Sequence, residues 1–449
     1  MNIIFFAIVL IAFITAAVRY IPGLTGDDSA PPMEVLGTAM IDAAGSSITL
    51  AIGLVGVMAL FLGLMRVAEA GGLLVIIART VRPLMVRLFP EVPAEHPAMG
   101  AMILNISANV LGLGNAATPF GIRAMQELNK LNPFPGTASN AMILFLAINT
   151  SSVTLLATGI VALRAASGSE DPAGIIPTTL FATACSTVVA ITVAKLCVRW
   201  FPPARPLPAD DGSAEAPQPE EAAASVQAPA PEDEKPVGEA QADLEAQAGR
   251  AYASWVSWLV LACVAAIIPL TIFFGREIAP WIIPGLMVGL LAFGVAKRVR
   301  VYEVFVDGAK EGFQVALRII PYLVAILVAV AMFRASGALE LLIEPLGAIT
   351  QFVGMPPDAL PMALLRPLSG SGAYGIVASI INDPAIGPDS YTGYLVSTLQ
   401  GSTETTFYVL AVYFGAVQIR RIRHALVPAL VADLAGVIAA VAIVSALYG

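Results

Sequence analysis

Charge is scarce in this chain: only 12% of its 449 residues are Asp, Glu, Lys or Arg, while 57% are hydrophobic and the mean hydropathy is +0.82. So few polar residues cannot cover apolar surface on that scale, which excludes a soluble globular domain and places the chain in a bilayer. Histidine is scarcer still, with His96 and His424 alone, and mechanisms built on several imidazoles are excluded. The three cysteines, Cys185, Cys197 and Cys263, lie in or at the end of apolar runs without CxxC spacing, which argues against a disulfide framework or a structural zinc site. A basic nucleic-acid footprint is missing as well. The sequence has no GxSxG elbow, no Walker A loop and no HExxH, so it reads as a non-enzyme without a cofactor or resident metal. Gly370-x-Gly372-x-x-Gly375 fits the dinucleotide pattern, but no strand pattern precedes it and its surroundings are apolar helix.

What is present is an all-α, polytopic pattern in two membrane halves, 1–203 and 251–449. Residues 204–250 between them hold eleven acidic residues against Arg205, Lys235 and Arg250. This stretch therefore accounts for the whole net charge of −8, and the rest of the chain is balanced. Rich in Ala, Pro, Glu and Gln, it cannot bury enough surface to offset ordering entropy and reads as a disordered cytoplasmic linker. A bilayer core of ~30 Å needs ~20 apolar residues per helix. Segments near 2–20, 46–65, 139–163, 175–198, 252–273, 277–297, 314–334, 395–418 and 425–447 meet that length. Two further apolar regions are interrupted, one by Gly112-Leu113-Gly114-Asn115 and one by Ser369-Gly370-Ser371-Gly372. Irregular backbone at membrane depth survives only where protein or a wet cavity surrounds it, so both are expected to be broken or re-entrant helices.

An internal repeat organises the two halves. Glu34-Val35-Leu36 matches Glu303-Val304-Phe305, Asp42 matches Glu311, and Arg66 matches Arg334. Each half is expected to run as a span, an interfacial amphipathic helix, a second span, a Gly-broken element and a span with a polar start. Counting crossings, with 252–273 as an unmatched span, makes the repeats inverted. A cytoplasmic N-terminus then puts Arg66, Arg79, Arg82, Arg87, Lys195, Arg199, Lys297, Arg298, Arg300, Arg420, Arg421 and Arg423 inside, as the positive-inside rule asks. The linker falls inside and Gly449 outside.

Inverted repeats with discontinuous helices carry solute sites where the halves meet near the midplane. An ionisable residue within a span is costly and by default faces a cavity or a partner. Glu404, in Gly401-Ser402-Thr403-Glu404-Thr405-Thr406, is the leading case, as a carrier of a proton or a pairing group for a cation. Arg366 opens the second broken element, and its planar fork suits a carboxylate or phosphate. Ser369 and Ser371 join it at the break, and Ser402 lies beside Glu404. Asn115, Asn149 and Ser151 are the neutral counterparts in the first half, where amides and hydroxyls also serve as glue between helices. The expected partners are a small polar or anionic solute and the lipid bilayer, with no nucleic acid; self-association into a homo-oligomer stays open. A non-transporting membrane scaffold, with these groups buried dry and paired, is the alternative.

Several long motifs occur in order along the chain. Ile52-Gly53-Leu54-Val55-Gly56, His96-Pro97-Ala98-Met99-Gly100, Leu111-Gly112-Leu113-Gly114-Asn115 and Phe145-Leu146-Ala147-Ile148-Asn149-Thr150 resemble bacterial spore maturation protein A. Arg366-Pro367-Leu368-Ser369-Gly370-Ser371-Gly372 and Gln400-Gly401-Ser402-Thr403-Glu404-Thr405 resemble spore maturation protein B. The chain thus resembles a fusion of two proteins with the nucleoside recognition or Gate domain, which concentrative nucleoside transporters and the membrane part of ferrous-iron transporters share. The resemblance implies a bacterial inner-membrane protein of transporter type, linked in spore formers to core dehydration.

Overall fold

The computed structural model describes residues 2–19, 31–112, 117–201, 252–338, 341, 350 and 354–449. The linker 204–250 and the predicted site residue Asn115 lie outside them. Among the described residues there is no β-strand, only an isolated bridge between Thr137 and Arg421. Pro32–Ala70, Pro172–Cys197 and Leu426–Tyr448 are long and apolar enough to cross a membrane.

The first half begins with α1 (Asn2–Arg19), α2 (Pro32–Ala70) and α3 (Leu73–Leu88). The second begins with α9 (Ser254–Ala296) and α10 (Val301–Ala335). Two expectations are corrected here. The interfacial segments at 34–42 and 303–311 are not separate helices but the first turns of α2 and α10, since nothing between them and the following spans breaks a helix. The spans expected at 252–273 and 277–297 are one helix of 43 residues. Gly275 costs only ~1 kcal/mol inside a helix, and Arg276 and Glu277 are good helix formers. At 1.5 Å per residue α9 is ~64 Å long, twice a bilayer core. The crossing count behind the predicted orientation relied on a break there, so the direction of the second half has to come from packing.

α2 and α10 lie side by side and antiparallel. A Cβ on Gly312 would stand 2.7 Å from the backbone nitrogen of Ala59, and one on Gly308 2.7 Å from the carbonyl of Leu62. The pair Ala59 and Gly63 thus faces the pair Gly308 and Gly312, each spaced by four, and only small residues there let two backbones approach so closely. α8 (Ile175–Cys197) and α15 (Leu426–Tyr448) pair in the same sense. Ser186 donates to the carbonyl of Ala432 at 2.8 Å, and at the far end Tyr448 donates to that of Gly174 at 3.1 Å.

Between these pairs sit four helical breaks. α4 (Pro97–Val110) and α5 (Thr118–Lys130) fold back on one another, Asn105 Nδ2 donating to the Ala117 carbonyl at 2.9 Å. α11 (Leu360–Leu365) and α12 (Gly370–Ile381) flank the second break. The first interruption includes Gly112, as expected; the second falls at 366–369, earlier than expected, with Ser369 as N-cap and Gly370, Ser371 and Gly372 in the first turn of α12. The spans expected at 139–163 and 395–418, however, are each split: α6 (Asn140–Ser151) from α7 (Thr158–Ala166), and α13 (Tyr391–Ser402) from α14 (Thr406–Gly415). The polar runs are the reason. Thr150, Ser151 and Ser402 turn their hydroxyls onto carbonyls of their own last turns, competing with continuation of the helix.

Two buried cores result, and each draws on both halves. α3 to α6 surround Val409, Leu410, Tyr413 and Phe414 of α14. The other core gathers Ile160 to Leu163 of α7 among residues of α2, α10, α12, α13 and α15. Each broken helix thereby lends its far part to the core built mainly by the other half.

Candidate functional site

The chain from 136 to 166 runs antiparallel to that from 391 to 421, so the two broken helices cross with their gaps side by side. Phe145 of α6 stacks on Tyr413 of α14 at 6.0 Å, and Arg164 of α7 reaches Ser397 of α13. At the centre, the backbone N–H of Glu404 donates to the carbonyl of Thr150 at 2.9 Å, joining the two gaps directly. Each gap is also tied to the glycine-motif break of its own half. Leu155 N–H donates to Val110 O at 2.9 Å, and Phe407 N–H donates to Pro367 O at 3.1 Å. All four breaks therefore meet in one region, and the backbone groups freed there find partners across it, as water-free surroundings require.

Arg366 holds the second half's break together. Its Nε donates to Gln400 O at 3.1 Å, Nη1 to Thr405 Oγ1 at 3.0 Å, and Nη2 to Thr403 O, while Glu404 Oε2 lies 3.9 Å from Nη2. The guanidinium caps the orphan carbonyls at the end of α13. Glu404, whose side chain is 46% exposed, is a distant partner. Ser369 caps α12, accepting from Gly372 N–H at 3.0 Å. Ser402 is buried beside Arg366, but Ser371 is exposed and does not line that cavity.

The first half supplies an amide and phenol network. Asn109 Nδ2 donates to Asn149 Oδ1 at 2.9 Å, Tyr413 OH donates to the same oxygen at 3.4 Å, and Asn105 Nδ2 donates to Tyr413 OH at 3.1 Å. Asn149 is thus central, and its partner Tyr413 comes from the opposite half. Ser151 is buried with its hydroxyl on Ala147 O, so it shapes the end of α6 and presents no free donor.

Sequence reasoning missed two ionic residues. Asp433, 6% exposed within α15, accepts from Thr406 Oγ1 at 2.7 Å through Oδ2, while Oδ1 is buried without a partner. A lone acid in an apolar span is the same signal that singled out Glu404. Arg164 is fully buried at the end of α7. It donates to Asp389 Oδ1 at 2.8 Å, to Pro388 O at 2.5 Å and to Asp171 O at 3.1 Å, and lies 4.2 Å over the Tyr394 ring. Burial pushes the Asp171 carboxyl up, and Arg164 beside it opposes that shift. At the opposite end of the crossing, Arg423 donates to Ala138 O and Asn140 Oδ1, each at 3.0 Å. Each arginine fastens the exit of one broken helix to the start of the other.

Ala363, Arg366, Pro367, Leu399, Ser402, Thr403, Asp433 and Val437 enclose about 10 Å³, room for one water. A larger cavity of about 280 Å³ lies elsewhere, between Phe89, Asn140, Ala141 and Lys195, and no expected site residue lines it. No group of three or more His, Cys, Asp or Glu able to hold a metal occurs among the described residues.

An all-helical chain with several apolar helices and polar breaks gathered at its centre is a membrane protein of the multi-pass class. It belongs to the Gate family, described as nucleoside recognition, whose model matches residues 51–197 and 316–420, together more than half of the chain. It is 47% identical over 177 residues to spore maturation protein B of Bacillus subtilis (strain 168), covering 38% of this chain and 98% of that one. It is 44% identical over 161 residues to spore maturation protein A of the same organism, covering 36% of this chain and 82% of that one. No solved structure matches it.

Proposed function

We propose that this chain is a transporter of the bacterial inner membrane. It would move a small polar or anionic solute, coupled to an ion or proton, with no enzymatic step. In this reading residues 1–203 and 251–449 are two inverted Gate-type repeats joined by a cytoplasmic linker, with the N-terminus cytoplasmic. The observation that carries it is the antiparallel crossing of two broken helices with their gaps bonded through Glu404 N–H and Thr150 O. A pair of discontinuous helices related by inversion is how secondary transporters place a site at the midplane. The antiparallel pairing of α2 with α10 and of α8 with α15 supports the inversion. Arg366 would engage an anionic group of the solute once the pathway opens. Three oxygens occupy three of its five N–H donors, which leaves two for a ligand. Arg164 and Arg423, fastening opposite ends of the crossing, suit latches that open in alternation.

The test is the thermal stability of the purified chain against nucleosides, dicarboxylates, amino acids, phosphates and divalent cations. Arg366→Ala and Glu404→Gln are measured alongside. A solute at 100 times its Kd should add ~2.7 kcal/mol, and the gain should vanish in Arg366→Ala. The second reading, a membrane scaffold related to spore maturation, is favoured by the water-sized cavity and the protein-paired state of Arg366. No stabilisation by any class, with Arg366→Ala strongly destabilised, would decide for the scaffold.

A further inference from the structure

We propose that Asp433, and not Glu404, is the proton-carrying group of this site, taking up a proton as Arg366 turns to an anionic solute group. The inference rests on the transport reading and adds to it the identity of the coupling residue. Glu404 is close to half exposed and its carboxylate stands 3.9 Å from Arg366. Asp433 is buried, one oxygen held by Thr406 at the first turn of α14 and the other without a partner. It shares with Arg366, Ser402 and Thr403 the cavity that has room for one water.

The surroundings favour a proton over a metal cation. Arg366, which lines the same cavity, is the charged group sharing it with Asp433, and it repels cations. α6 and α13 carry no ionic side chain along their lengths, and α8 has only Lys195, near its end. From α14 the facing group is the neutral Thr406 hydroxyl. A fixed cation site would need several oxygens converging on the free Oδ1, and the only polar neighbours lining the cavity are two hydroxyl residues and a guanidinium. The step is a simple transfer: hydronium gives its proton to Oδ1, an O–H bond forms, water leaves, and no electron moves. Neutral Asp433 no longer balances Arg366, whose charge is then free for a carboxylate or phosphate. Return of the solute to water releases the proton and restores the Asp433 carboxylate to the cavity it shares with Arg366. One proton thus accompanies one negative charge.

Infrared difference spectroscopy of the purified full chain across a pH titration tests this without knowledge of the solute. The wild type should show a buried carboxyl C=O band that grows as pH falls. Asp433→Asn should lack it, Glu404→Gln should keep it, and Asp433→Glu should keep it at a displaced frequency. The glutamate variant guards against misfolding of the asparagine one. Arg366→Ala should move the midpoint up by about one pH unit, the usual effect of losing a nearby opposite charge. A band that survives in Asp433→Asn, or that disappears in Glu404→Gln, overturns the assignment. A midpoint unmoved in Arg366→Ala overturns the coupling. If the titration behaves as expected while no solute class stabilises the protein, the transport reading falls and the proton site stands.

Discussion

Arg164 and His424 show how single buried residues set the character of this molecule. A fully buried guanidinium survives because its two terminal nitrogens are answered by Asp389, two carbonyls and Ser169, while the face of Tyr394 lies against it; Nε alone is left without a partner. Arg164→Ala removes the cation from Asp389, which stays partly exposed and bonded to Ser169 and Glu170, and should cost about 1–3 kcal/mol, the range for losing hydrogen bonds to a charged group. Arg164→Lys should recover only part of that in chemical unfolding, since an ammonium cannot make the forked contacts or stack. His424 is the opposite case. Its two ring nitrogens are buried without partners and its ring stacks on Phe201 at 5.5 Å. Burial, with Arg423 next to it, pushes its pKa down to about 4, so the folded state binds this proton less readily than the unfolded chain, at ~6.5. Stability is then lost as pH falls from about 6.5 to about 4, by up to ~3 kcal/mol, and is fully present above that window. His424→Phe should keep the stacking and flatten that part of a stability-against-pH curve.

The elements are defined by where they stop. Gly112 ends the turn after α4 at φ +75°, and a Cβ there would lie 2.1 Å from the carbonyl of Leu156. Gly112→Ala should therefore cost more than the ~1–2 kcal/mol of left-handed backbone alone. It should also loosen the first half's two breaks from each other, visible as faster amide exchange at Leu155, whose N–H bonds Val110 O. The break at Gly112 was legible because glycine has few other uses inside an apolar helix, whereas the second break lies at 366–369, just before the glycines that begin α12. The breaks after Ser151 and Ser402 were not legible as such. Their polar runs read as the start of a span, because the hydroxyls that loosen the helix there leave an interruption only where the opposite gap supplies partners for the freed backbone. The same limit hid the continuity of α9, where charge and one glycine resembled a loop.

At the scale of the whole molecule, the two halves are not separate bodies. α14 completes the core of the first half and α7 that of the second, so each half alone would expose apolar surface the other covers. Chains 1–203 and 251–449 expressed together should co-purify, whereas either alone should aggregate or be degraded. Thr178 and Thr398 meet across the halves with their hydroxyls 2.8 Å apart. In a background without the native cysteines, Thr178→Cys with Thr398→Cys should link the two chains on oxidation, and absence of a linked species would count against the packing described. Sequence alone determined the membrane setting and the helical class, because scarcity of charge and the cost of a polar group in lipid act on each residue wherever the chain goes. Tertiary structure alone decided that α2 meets α10 and α8 meets α15 antiparallel, that Tyr413 serves Asn149, and that Asp433 shares the cavity of Arg366. Those are contacts between residues far apart in the chain, fixed by which small faces allow close approach and which freed backbone groups find a partner.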